Sequence, residues 1–228
     1  MKKLGESKTV FYFDVCGQVN TEKTLELAFQ RAHQLGVSKM VIASETGLSA
    51  LKATEMLQDS EIDLIIVTSA AGTKIEETVI GDLRIGIPDR QIWKSLEKSG
   101  AKIVRASDPL YCIGAALEHR GIPTLGTLVR LCLKMISSGT AVCVSATSMA
   151  TDNGIIKEGD EVVAVAGSWV GLDTAVVLRS ANSVNLLKTG TLQIREIICK
   201  PRNPAYSWPI NQQDWVGDLR PYEKFAKP

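Results

Sequence analysis

Histidine is nearly absent from this 228-residue sequence, which contains only His33 and His119. His33 falls on the polar side of a predicted helix and His119 in the charged run LEHRG, so both are expected at the surface, and histidine catalysis and histidine-based metal binding lose support. Charge of one sign is missing too. With 26 basic and 25 acidic residues the formal charge is +1, which supplies no long-range field for nucleic acid or an anionic membrane. No apolar run reaches membrane-spanning length, and the opening MKKLGESKTVFYFDV lacks the apolar core of a signal peptide, so a cytoplasmic location is expected. The five cysteines, Cys16, Cys112, Cys132, Cys143 and Cys199, are odd in number and never spaced CxxC. That pattern favours buried, reduced thiols over a disulfide framework or a zinc site. GxGxxG, GxxxxGK[ST] and GxSxG do not occur, so dinucleotide-fold, P-loop and hydrolase-elbow readings have no support.

What the chain does have is a 45% hydrophobic composition, ample for one core. TVFYF (9–13) reads as a strand. In NTEKTLELAFQRAHQLG, Leu25, Ala28, Phe29, Ala32 and Leu35 recur at helical spacing between a cap at Asn20 or Thr21 and a stop at Gly36. KMVIAS is a second strand, SALKATEML a second helix, and IDLIIVTSA a third, fully apolar strand ending near Thr68. Residues 9–70 therefore predict a βαβαβ unit, and such continuously apolar strands imply a parallel sheet covered on both faces. AAGTKIEETVIGDLRIGI is too polar and glycine-rich to assign. Pro88 then opens a helix, PDRQIWKSLEKSG, and AKIVRAS follows as a strand. TLGTLVRLCLKMISSG predicts a helix burying Leu125, Leu128, Val129, Cys132 and Met135. AVCVSA, EVVAVAG, TAVVLRSA and TLQIREIICK read as strands, of which at least one pair joined by a short loop must be antiparallel. The expected fold class is α/β: a three-layer α/β/α domain over residues 1–203 with a mostly parallel mixed sheet.

From Pro201 onward the character changes, because five of the eight prolines lie in PRNPAYSWPINQQDWVGDLRPYEKFAKP. Residues 204–228 show no secondary-structure periodicity. Trp208, Trp215, Tyr222 and Phe225 are too much apolar surface to leave in water, so this tail is expected to pack on the body or on a partner subunit, and a homo-oligomer is expected.

The stretch VIASETGLSA (41–50) carries the chief functional signal. A buried strand there ends in Ser44, Glu45, Thr46 and Gly47, with Ser49 beyond, as a helix begins. Free amides and partial positive charge at a helix start attract anions, hydroxyls donate to them, and glycine lets the backbone approach. A plain helix cap by Ser44 and Thr46 is the competing reading. Three further groups deserve the same question. Asn20 and Thr21 open a helix near the same strand ends, Thr68 closes the third strand there as a further ligand candidate, and in ATSMATDNG the residues Ser145, Thr147, Ser148, Thr151 and Asp152 follow a predicted strand.

NTEKTLELAFQRAHQLGVSKMVIASETGLSALKA, SGAKIVRAS, VCVSATSMATDNG, EVVAVAGSWVGLDTAVVLR and IREIICKPRN together resemble the free-standing proteins related to the C-terminal domain of pyruvate kinase. The resemblance covers roughly residues 9–203. In pyruvate kinase that domain has no catalytic group and binds a phosphorylated sugar at a Ser/Thr/Gly turn and a later glycine-containing loop. The resemblance therefore implies a ligand site at Ser44, Thr46, Gly47 and Ser49 together with Gly167, Ser168, Trp169, Gly171, Asp173 and Thr174. It implies FMN as the leading ligand, with Trp169 offering a stacking face. Glu45 departs from the pattern, since a carboxylate repels phosphate unless directed elsewhere. Pyruvate kinase activity is not expected, because that chemistry needs a separate barrel of about 250 residues, more than the whole chain. Two alternatives remain: a flavin-dependent or phosphometabolite enzyme using Asp152, Glu45 or Cys16 as acid, base or nucleophile, and an oligomer-forming protein with a vestigial pocket.

Overall fold

The structure, a computed structural model, describes residues 5–58, 60–118, 120–204 and 215–226. Its centre is a seven-stranded sheet built from β1 (Phe11–Phe13), β2 (Lys39–Ala43), β3 (Asp63–Thr68), β6 (Lys102–Arg105), β7 (Glu161–Ala166), β8 (Thr174–Arg179) and β9 (Gln193–Pro201). The spatial order is β1-β9-β8-β7-β2-β3-β6. Only β8 runs against the rest, since it pairs antiparallel with both β7 and β9 while every other pairing is parallel.

Strand alternation divides the core in two. Met40, Ile42, Leu64, Ile66, Val163 and Val165 face one cluster, while Val41, Ile65, Val67, Val162 and Ala164 face the other. The first face is covered by α1 (Thr21–Leu35), α2 (Leu48–Met56) and α3 (Arg90–Lys98). The second is covered by α6 (Ser138–Asp152), with α5 (Leu125–Lys134) packed on α6 and α4 (Cys112–Glu118) on α5.

Four expectations change. AVCVSA is not a strand but the middle of α6, whose start Ser137 caps by accepting from the Thr140 amide at 3.0 Å. A short apolar run suits a buried helix as well as a buried strand, and α6 is buried along nearly its whole length. In α5 the expected buried face is mostly open: Leu125 is 68% exposed, Leu128 52% and Met135 73%, and Cys132 is exposed as well. Of the five residues named for it, Val129 packs against the core. The βαβαβ unit exists in sequence, yet β1 does not neighbour β2: α1 carries the chain from the β1 edge across β9, β8 and β7. Finally the tail contains a helix, α7 (Arg220–Ala226), with Pro221 in its first turn where no amide is needed. The unassigned stretch forms a hairpin of β4 (Lys74–Thr78) and β5 (Gly81–Arg84).

Trp215, Tyr222 and Phe225 are buried in the first cluster, so residues 215–226 form a strap over the body; Trp208 lies outside the described residues. The Val216 amide donates to the Cys16 carbonyl at 2.9 Å and the Val19 amide to the Val216 carbonyl at 3.2 Å, which ties the strap to the loop before α1.

Candidate functional site

The register of the central strands puts the predicted residues in one row. Ile42 pairs with Val165 across β2 and β7, and Ala43 with Val67 across β2 and β3. Continuing past these pairs, Ser44 falls between Thr68 at the end of β3 and Gly167 just beyond β7. All are at the carboxyl ends of parallel strands, where open α/β sheets bind ligands.

The turn after β2 is built by glycine. Gly47 has φ +88°, and a Cβ there would lie 2.4 Å from the Ile92 side chain, so no other residue fits without displacing α3. Ser44, Thr46 and Ser49 are all buried. The Ser44 hydroxyl accepts from the Ala50 amide at 3.3 Å, which caps α2, whereas the Thr46 hydroxyl forms no hydrogen bond among the described residues. Glu45 is accounted for: its carboxylate accepts from the Thr68 hydroxyl at 3.1 Å, the Ser69 amide at 3.1 Å and the Ser69 hydroxyl at 2.7 Å. These three donors hold its charge over the end of β3.

In the loop after β7, Asp173 is the organiser. Its carboxylate accepts from the Gly17 amide at 3.0 Å, the Ser168 amide at 3.2 Å and the Thr174 hydroxyl at 3.0 Å. Burial pushes its pKa up, and hydrogen bonds from Ser168, Gly17 and Thr174 pull it back. Thr174 also meets Ser137 at 3.1 Å, joining the loop to the start of α6. Gly171 has φ +83° and touches the backbone of Gln18, where a Cβ would approach to 2.3 Å. Trp169 stacks edge-on against Trp215 with centroids 5.3 Å apart, and its indole N–H is buried with no acceptor among the described residues.

Asn20 and Thr21 are also here, though not as side-chain caps. The Asn20 amide group donates to the Val15 carbonyl at 2.7 Å, and the Thr21 hydroxyl accepts from the Leu172 amide at 3.0 Å. Both therefore brace the loops around the site.

Asp152 is the exception among the predicted residues. It ends α6, which runs back to the opposite edge of the sheet before β7, and it accepts from the Ser183 amide at 2.9 Å and the Asn182 side chain at 3.1 Å. The expectation that it follows a strand fails because AVCVSA is helical. Ser145, Thr147, Ser148 and Thr151 likewise lie within α6. Cys16 is buried at 1% exposure and its thiol donates to the Asn203 carbonyl at 3.5 Å, which disfavours a nucleophile. His33 is exposed, His119 lies outside the described residues, and no group of acids, cysteines and histidines among the described residues could hold a metal.

The sequence reading missed the residues that close the site. Tyr222, from the strap, shares hydrogen bonds with Ser49 and Gln18, and burial raises its pKa to about 12. Trp215 reaches the other half, donating from its indole to the Val170 carbonyl at 3.3 Å. The only signal in the sequence was the concentration of aromatics after Pro201; their partners lie some 45 to 200 residues away and leave no local pattern.

The sequence profile of the family described as pyruvate kinase, alpha/beta domain, matches residues 22–178. That stretch is well over half of the chain, and the chain belongs to this family. The match includes both site loops, and it ends before β9 and the strap.

Proposed function

We propose that this member of the pyruvate kinase alpha/beta domain family is a binding or regulatory protein for a phosphorylated small molecule, FMN being the first candidate, held between the turn at 44–49 and the loop at 167–174. One observation carries the reading: adjacent strands deliver these two loops side by side, and Trp169 brings to them a buried N–H donor with no acceptor among the described residues. A buried donor without a partner costs about 1–3 kcal/mol, which a ligand acceptor would recover. The ordering of Glu45 by Thr68 and Ser69 removes the objection that its charge would face the phosphate. Trp215 lies on the 167–174 loop and Tyr222 on Ser49 of the other turn, so in this reading the strap lifts for ligand exchange.

Fresh protein should carry a flavin absorption band, with FMN released on denaturation and identified by mass spectrometry. The residues separate capping from ligand binding. Ser44→Ala removes the acceptor of the Ala50 amide and costs about 1 kcal/mol of stability. Thr46→Ala breaks no internal hydrogen bond and should instead weaken FMN binding about tenfold or more in titration calorimetry, as expected for a bond to a charged group. A Thr46→Ala protein that binds FMN like the parent would sink the proposal.

A further inference from the structure

A second cleft lies against the Ile87–Pro88 segment. Its volume is about 290 Å³, and it is lined by Gly72, Thr73, Lys74, Arg84, Gly86 and Arg105, along with Ile85, Ile87 and Pro88. It is formed by the β4–β5 hairpin and by Arg105 at the end of β6, none of which the reading of the 44–49 turn uses. Three cations line it, and no acid does.

The two arginines are oriented without being neutralised. Arg84 donates from Nε to the Phe225 carbonyl and from Nη2 to the Lys224 carbonyl, both at 3.2 Å, which leaves Nη1 unused. Arg105 donates from Nη2 to the Gly86 carbonyl at 2.7 Å and the Ile87 carbonyl at 3.3 Å, and its guanidinium lies 4.2 Å over the Trp93 ring. Its Nε and Nη1 stay available. Neither arginine has a carboxylate partner among the described residues. Among the described residues the only carboxylate near Lys74 is that of Asp82, at 3.8 Å. Carbonyls and an aromatic face fix a guanidinium's direction while its full charge remains for a third party, the arrangement suited to recognising phosphate.

The geometry points to this cleft as a second ligand site, for a small phosphorylated molecule whose anionic group is held by Lys74, Arg84 and Arg105. The volume is at the low end for a ligand pocket, so the occupant is a compact phosphate ester or diphosphate and not a dinucleotide. This site stands whether or not FMN binds at the 44–49 turn.

Titration calorimetry of the full chain with pyrophosphate, and separately with inorganic phosphate, tests it at low ionic strength. Pyrophosphate should bind more tightly than phosphate, and the affinity should fall as salt is added. Lys74 is exposed and weakly paired, so Lys74→Ala should lower pyrophosphate affinity roughly tenfold with an unchanged melting temperature. Arg105→Gln should lower it further. Because that variant also loosens the 86–87 segment, Lys74→Glu, which reverses a charge at the cleft mouth, serves as its control and should abolish binding in a folded protein. Thr46→Ala should bind pyrophosphate like the parent. No measurable binding at millimolar pyrophosphate, parent-like affinity in Lys74→Glu, or loss of binding in Thr46→Ala would each overturn the assignment.

Discussion

On one face of the sheet α1 and the strap bring large side chains to the core, among them Leu25, Trp215, Tyr222 and Phe225, all buried. On the other, α6 lies flat on the strands with mostly small ones, Ala141, Cys143, Ser145, Ala146, Thr147, Ser148 and Ala150, and is itself covered by α5. The first face is one helix layer thick and closed by a segment distant in sequence. The second is two layers thick, and its outer helix leaves Leu125, Leu128, Leu131 and Met135 exposed. A helix between two layers is close-packed on all sides and needs no amphipathic stripe, while the outer helix meets the core through Val129 and Leu133 alone among its apolar residues and leaves its other leucines outward. The loops at 44–49 and 167–174 belong to the closed carboxyl edge, where the strap meets Ser49 and Trp169.

The sharpest way to break this contrast is to truncate one side chain in each layer of the second face. Met149, on α6, is 5% exposed, and Met149→Ala should cost about 2–5 kcal/mol. That corresponds to a melting temperature lower by roughly 4–20 °C in a chain of this size. Leu128→Ala, at 52% exposure on α5, should stay within about 0.5 kcal/mol. Equal losses in thermal denaturation would mean that α5 is buried in solution.

The strap is tested by alkali. The Tyr222 phenol ionises at about 10 in an unfolded chain and at about 12 in place. Below the lower value both states hold the proton and its contribution is complete. Between the two only the unfolded chain releases it, so stability falls as pH rises through that window. Cys199, also pushed up to about 12 by burial, adds a loss that begins at lower pH, so melting alone does not isolate the strap. A tyrosinate absorbance titration does: the parent should show a late component near 12 that is missing from Tyr222→Phe. Ionisation of Tyr222 at an ordinary pH would place the strap off the body.

The smallest effect concerns the edge opposite the site. Asp152→Ala removes the acceptor for Ser183 and Asn182 at the surface and should cost about 1 kcal/mol or less. FMN and pyrophosphate affinities should not move. A drop beyond about threefold, roughly what 0.7 kcal/mol represents, would put Asp152 back among the ligand residues.

Local pattern carried much of this architecture. KMVIAS and IDLIIVTSA announced β2 and β3 by their unbroken apolar runs, NTEKTLELAFQRAHQLG announced α1 by its spacing and Gly36, and Ser44–Gly47 stood out as small residues where a strand meets a helix. AVCVSA misled because six apolar or small residues fit either period; what made them helical was the Ser137 cap and the position between sheet and α5. AAGTKIEETVIGDLRIGI concealed a hairpin because neither strand buries a full face.

The sequence by itself determined the α/β class, the run of strands and helices from 20 to 68 and from 88 to 105, and the small-residue turn at 44–49, since each of these is written in nearest-neighbour spacing and turn chemistry; the 167–174 loop was marked only by the family resemblance. Only the tertiary structure decided that β1 sits at the far edge beside β9, that Asp152 lies at the opposite pole, and that Trp215 and Tyr222 close the site. It alone gathered Lys74, Arg84 and Arg105 into one cleft. These are contacts between residues tens to hundreds of positions apart, fixed by how layers stack and by which buried groups find partners, and no local periodicity encodes them.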